Sequence, residues 1–315
     1  MPGMIANALV PIFFGLGLGY FAGWRGIVDN KNVAGLNTFL LSYAIPAALF
    51  LATAQTPRQM LAYHAKLFGI LALSMIVMFA VALAIELKLF KFTLADSAAV
   101  TLTVALPNWV AVGLPLFIGL YGPQSTAPVA VAIVCGNVVA APMSLLLLEA
   151  GGVESSSAGV LRRFGLSLWR TLMKPVVLGP ILGMGLSLAG YALPLVLARS
   201  LGFFSQTAAG VGLFVTGLVL SRESVSLGIN VSGGLVLKMI AQPLLTFVLA
   251  CLLKYPTQVA RDAVLLMACP SGFLGVLFGV AYNARSREAG SLLLLSSALS
   301  ALTLSLVILL LPFIR

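Results

Sequence analysis

Apolar runs of about twenty residues follow one another along nearly the whole of this 315-residue chain, with short polar gaps between them. Such runs leave few folds open. A bilayer core about 30 Å thick is crossed by roughly 20 apolar residues in helical conformation. In lipid every backbone N–H and C=O must find a partner inside the protein, so each run has to become a helix. Ten stretches fit, at about 4–24, 33–55, 66–87, 96–120, 125–147, 173–190, 202–221, 227–252, 262–283 and 290–313. The composition agrees, with 61% hydrophobic and 8% charged residues and a mean hydropathy of +1.11. Soluble domains carry about 25% charged residues. The expectation is an all-α integral membrane protein with ten transmembrane helices. The first run lacks a basic n-region (MPGMIANALV) and is too long for the core of a signal peptide, so it counts as the first span.

Two of these runs are interrupted near their middle by a proline and a small polar residue, Pro107-Asn108 in TVALPNWVAVG and Pro270-Ser271 in LLMACPSGFLG. A proline inside a helix removes a backbone hydrogen bond and clashes with the preceding turn, freeing carbonyls and amides that must be satisfied by protein, water or ligand. The breaks occupy matching places. Residues 1–148 hold five spans, a GGVESSSAG-containing joint occupies 149–171, and residues 172–315 hold five more, with the broken span fourth in each set. Repeats with an odd number of spans enter the membrane from opposite sides. The expectation is therefore an inverted five-plus-five repeat, the build of carriers that bind substrate at the bilayer midplane between broken helices. Aligned on the prolines, Ala105 matches Ala268, Asn108 matches Ser271 and Leu114 matches Leu277. Glycines crowd the first and sixth spans (FFGLGLGYFAG, LGPILGMGLSLAG), which suits close packing of helix backbones.

The net charge of +10 sorts by membrane side rather than forming a nucleic-acid patch. Loops after odd-numbered spans carry eleven basic residues (Arg25, Lys31, Lys88, Lys91, Arg162, Arg163, Arg170, Lys174, Arg222, Arg285 and Arg287) and the other face carries six (Arg58, Lys66, Arg199, Lys254, Arg261 and Arg315). The basic-rich side faces the cytoplasm. This places the joint in the cytoplasm and both termini outside, in a cytoplasmic (inner) membrane. Cys135, Cys251 and Cys269 have no metal-type spacing and read as small core residues.

The polar residues within the spans define a candidate site. Asn108 lies about 18 Å into its span at 1.5 Å per residue; its carboxamide can donate to a carboxylate. The half-helix after Pro107 turns a positive dipole end toward the same point, and Ser271 and Gly272 open the half-helix after Pro270. Two opposed helix starts make an anion trap. Trp109, beside Asn108, suits either packing or an aromatic substrate. Lys238, in GGLVLKMIAQPLL, is a cation far from either end of the eighth span, where burial costs about 2.5–3.5 kcal/mol on insertion scales. It reads as a countercharge for an anion or a coupling group. Gln242 follows one turn later, and Pro243 suggests that this helix is locally opened. The eight carboxylates fall near span ends or in loops; Asp96 and Asp262 are expected as N-caps of the broken helices. His64, the only histidine, is expected on the surface. One histidine excludes a HExxH protease, and no nucleophile has a base beside it, so no enzyme is indicated and no cofactor is expected.

On GYFAGWRGIVDNKNVAGLNTFLLSYAIPAALFLATAQTP, TLTVALPNWVAVGLPLF and CPSGFLGVLFG, the chain resembles the auxin efflux carrier family, and within it the bacterial malonate carriers. The resemblance implies that broken helices 4 and 9 cross at Pro107, Asn108, Pro270 and Ser271. It implies a scaffold of helices 1, 2, 6 and 7, with helices 3–5 and 8–10 moving as an elevator. The implied function is secondary transport of a small anion such as malonate or a related dicarboxylate, with malate or an indole acid as alternative substrates and a sensor or channel on the same fold as the alternative class. The partners implied are the small anion, a coupling proton or sodium ion, membrane lipid and, compatibly, a second copy in a homodimer; nucleic acid is not among them.

Overall fold

The computed structural model describes residues 2–28, 30–57, 60–151, 165, 169, 172–222, 225–282, 284 and 286–314. Most of the 149–171 joint lies outside these residues, as do Arg58, Arg162, Arg163, Arg170, Arg285 and Arg315 of the charge count. The described residues are helical throughout, and their only extended pairing is an isolated bridge. In chain order the helices are α1 (Pro2–Trp24), α2 (Asn30–Phe39), α3 (Ile45–Ala54), α4 (Leu61–Lys88), α5 (Leu94–Ala105), α6 (Leu114–Tyr121), α7 (Ala127–Val138) and α8 (Ala140–Ala150). They continue with α9 (Pro175–Ala189), α10 (Leu195–Ser205), α11 (Thr207–Leu220), α12 (Ile229–Val236), α13 (Gln242–Leu252), α14 (Thr257–Ala268), α15 (Leu274–Ala281) and α16 (Ser286–Leu310).

Seven stretches among the described residues are helices long and apolar enough to cross a membrane, where ten spans were expected. The difference is local. The fourth and ninth expected spans are each broken into two short helices, and the sixth is only the 15-residue α9. Side chains such as Phe14 (65% exposed), Leu302 (72%) and Phe313 (77%) point outward. Large apolar groups on the outside are costly in water and favourable in lipid. At the end of α1, Arg25 lies over the rings of Phe21 and Trp24, 5.5 Å from each centroid, the pairing expected where a helix leaves the membrane.

Proline placement explains most of the helix interruptions. Single π-helical turns occur at Leu40–Ala44, Trp109–Gly113 and Leu237–Ala241. Each is followed, two residues past its end, by a proline: Pro46, Pro115 and Pro243. Proline cannot donate to the carbonyl four residues back and its ring presses on that carbonyl; widening the preceding turn relieves both. Pro142 similarly follows the break at Val139 between α7 and α8. The local opening expected beside Lys238 is thus present as the third π-turn.

The chain forms two compact units. The first comprises residues 1–66, 109–134 and 173–222. In it α1 packs along α11, and α3 along α9 and α10. Glycines permit the close contact: a Cβ at Gly217 of α11 would meet Leu16 O, with Tyr20 N at 2.7 Å and Gly19 Cα at 2.9 Å. Backbone cannot give way as a flexible side chain can. Gly217→Ala should therefore lower stability by roughly 1–3 kcal/mol, read as a lowered melting midpoint in detergent. Gly210→Ala, on the same helix with nothing within 4 Å of the new Cβ, should leave the midpoint unchanged or raise it slightly.

The second unit comprises residues 67–108, 135–172 and 223–315. Here α5 packs against α8, α15 and α16, and α13 against α14. A cluster of Met78, Phe79, Ala82, Val100, Val104, Ala105, Val231 and Leu292 forms its apolar core.

Several expectations about single residues change. Asp96 is not an N-cap: Thr93 caps α5, its hydroxyl accepting from Asp96 N at 3.2 Å. Asp262 is buried inside α14 and accepts from Gln258 Nε2 at 3.1 Å. The cause is that α14 starts at Thr257, behind Pro256, and takes in the polar turn that the hydropathy pattern left out. His64 is buried rather than on the surface, edge-on to Tyr63 at 5.4 Å, because α4 begins early enough to include it. Cys135 and Cys269 are core residues, whereas Cys251 is exposed on α13.

Candidate functional site

The two breaks meet. α5 ends at Ala105, Leu106 turns extended (φ −103°, ψ 110°), and the chain stays unwound to Asn108. α14 ends at Ala268, Cys269 turns extended (φ −57°, ψ 146°), and α15 begins at Leu274. The unwound segments run antiparallel, with Pro107 bridged to Ser271. Asn108 N donates to Pro270 O and Gly272 N donates to Leu106 O, both at 2.7 Å. Each break thus supplies what the other lacks, a donor for a carbonyl that unwinding of the chain set free. Gly272 makes the approach possible, since a Cβ there would lie 2.9 Å from Leu106 O.

These bonds alter the anion trap drawn from sequence. The amides of Asn108 and Gly272 are spent on the partner segment, and Ser271 N donates to Ser296 Oγ of α16 at 3.0 Å. The amides of Phe273 and Leu274, at the start of α15, have no backbone acceptor among the described residues, as helix starts generally do not. Asn108 (3% exposed), Trp109 (2%) and Ser271 (0%) are buried. The Ser271 hydroxyl has no hydrogen-bond partner among the described residues, an expensive state for a buried polar atom, normally a few kcal/mol, that a ligand or water would relieve.

Behind the crossover lies a second layer. Lys238 and Gln242 are fully buried, one turn apart, and Lys238 Nζ donates to Gln242 Oε1 at 2.7 Å. Lys238 Nζ also reaches Met267 O at 3.4 Å, at the end of α14, while Gln242 Nε2 donates to Ala105 O at 2.7 Å, at the end of α5. One lysine–glutamine pair therefore serves the terminal carbonyls of both broken helices. These ends carry the negative pole of the helix dipole, so an ammonium group is favourable there. The layer continues through Thr246, whose hydroxyl donates to Gln242 O at 2.8 Å and shares a 2.6 Å bond with Ser74. Sequence reasoning found Lys238 and Gln242 from their depth in the span. It missed Thr246, one turn beyond Gln242, and also Ser74 and Ser296, which nothing in a local pattern links to their partners on other segments.

An all-α membrane chain whose two proline breaks cross and hold one another has the build of a membrane carrier rather than of a receptor helix bundle. Comparison with known proteins agrees: the sequence profile of a family described as membrane transport protein matches residues 4–308. The chain belongs to this family, that of the auxin efflux carriers. It is 26% identical over 291 residues to the "Uncharacterized transporter YfdV" of Escherichia coli (strain K12), covering 91% of each chain. It is 26% identical over 309 residues to the "Putative malonate transporter" of Rhizobium meliloti (strain 1021), covering 96% of this chain and 94% of that one. With the "Probable auxin efflux carrier component 5c" of Oryza sativa subsp. japonica it shares 22% identity over 334 residues, covering 88% and 89%. The protein is thus a multi-pass membrane transporter and not an enzyme.

Proposed function

We propose that this chain is a secondary active carrier of small organic anions, malonate or a related dicarboxylate foremost, with its site at the crossover of Pro107-Asn108-Trp109 and Pro270-Ser271-Gly272. The observation that carries this is the pair of crossed, backbone-bonded breaks with a carboxamide on one and, on the other, a buried hydroxyl that has no partner among the described residues. In the proposed complex Asn108 and Ser271 donate to carboxylate oxygens and the α15 start adds its positive pole. Lys238 and Gln242 hold the helix ends behind, and the Lys238 ammonium contributes positive charge. The name of the Rhizobium relative supports malonate; that of the Oryza relative makes an indole acid the second candidate.

The proposed architecture is ten spans in an inverted repeat, with the termini outside and the joint cytoplasmic, and helices 3–5 and 8–10 carry the substrate past a scaffold of helices 1, 2, 6 and 7 in elevator-type alternating access. No GxxxxGK[ST] motif occurs in the sequence, so the driving force in this proposal is a substrate or ion gradient rather than ATP. Radiolabelled malonate uptake into proteoliposomes tests it, with malate, succinate and an indole acid as competitors and pH and sodium gradients imposed separately. Saturable malonate counterflow is the expected result. Flux that does not saturate would mean a channel, and inhibition by the indole acid alone would move the assignment to aromatic acids.

A further inference from the structure

Carriers with discontinuous helices commonly place a bound alkali ion among unwound carbonyls and half-helix C-terminal ends. In this chain that position is taken by a side chain. Lys238 Nζ lies against Met267 O and Gln242 Oε1, and Gln242 in turn holds Ala105 O, so the ends of α14 and α5 converge on one lysine–glutamine pair. Gln242 Nε2 also reaches Met267 Sδ at 3.4 Å. These oxygens are the ligands that a monovalent cation would take. Lys238 is fully buried, and its partners among the described residues are these neutral oxygens, not a carboxylate. A buried ammonium with no counter-anion is costly; two helix C-terminal poles offset that cost, as they would for a bound ion.

We propose that the Lys238 ammonium is a built-in cation that replaces a bound alkali metal ion at the ends of the two broken helices, making the crossover, and hence transport, independent of sodium and lithium. The uptake consequence rests on the carrier reading above; the stability consequence does not. Of the two coupling ions considered, sodium would then have no place at this position, leaving a proton or substrate exchange.

The test is thermal unfolding of the purified full-length protein in detergent, in sodium, lithium or choline chloride, for wild type, Lys238→Ala and Lys238→Met. The wild-type midpoint should be the same in all three salts. Lys238→Ala removes the cation and leaves room for another, so its midpoint should be lowered in choline and raised saturably by sodium or lithium. The rise should be about 2 °C when the ion is at ten times its dissociation constant. Lys238→Met fills the space with an apolar chain and should show no such rise. A wild-type midpoint that rises with sodium would overturn the proposal. So would a Lys238→Ala protein indifferent to cations, including one that fails to fold equally in every salt. In proteoliposomes, wild-type malonate counterflow should run equally fast in sodium and choline. Absence of counterflow in both would count against malonate as substrate and leave the unfolding result to decide the role of Lys238.

Discussion

Gly275→Ala should unfold or severely destabilise the transporter, by roughly 3 kcal/mol or more, because it inserts a methyl group between two backbones that cannot separate. Gly275 opens α15 where it packs on α5. A Cβ there would fall onto Thr103 Oγ1, with Ala99 O at 2.5 Å and Thr103 N at 2.8 Å. Both partners are tied down, since Thr103 Oγ1 is bonded to Ala99 O at 3.0 Å and α5 is held on its other side by Ser144 Oγ at Ala98 O. Relief would have to come from moving α15, and that would pull Gly272 N away from Leu106 O. The melting midpoint should drop by many degrees and saturable uptake should disappear. Gly185→Ala, where nothing lies within 4 Å of the new Cβ, serves as the matched control. Equal midpoints for the two variants would show that the α5–α15 contact does not hold the crossover.

Asn108→Ala should reduce malonate uptake by about 10- to 100-fold with little change in the melting midpoint, the loss that follows from removing a hydrogen bond to a charged group worth about 1.5–3 kcal/mol. Folding is spared because the crossover is held by the main chain: Asn108 N to Pro270 O and Gly272 N to Leu106 O survive the truncation. The loss should appear in the apparent affinity for the anion. Wild-type uptake with an unaltered half-saturation concentration would remove Asn108 from the site. A lowered melting midpoint of the same size as the uptake loss would make it a structural residue instead.

Sequence legibility divided along a physical line. Apolar length and proline placement are local properties, and they determined the all-α membrane class, the positions of both breaks and the place of Asn108, Lys238 and Gln242 within apolar runs. The local opening beside Pro243 was legible too, for a widened turn is the cheapest answer to a missing donor, whereas the matching π-turns before Pro46 and Pro115 appeared only in the structure. Helix starts were less so. The polar turn of α14 was counted as loop because hydropathy reports what suits lipid, whereas helix formation tolerates Thr257-Gln-Val-Ala-Arg-Asp262 once Pro256 has set the entry. The crossing of the two breaks was implied by the family resemblance, but the backbone pairing of Pro107 with Ser271, the capping of both broken helices by one lysine–glutamine pair, and the use of amides that sequence alone would have offered to an anion were decided by the tertiary structure. Each joins groups that are more than a hundred residues apart or belong to different helices. Proline determines where a carbonyl is set free; only the packing of the whole chain determines which donor reaches it.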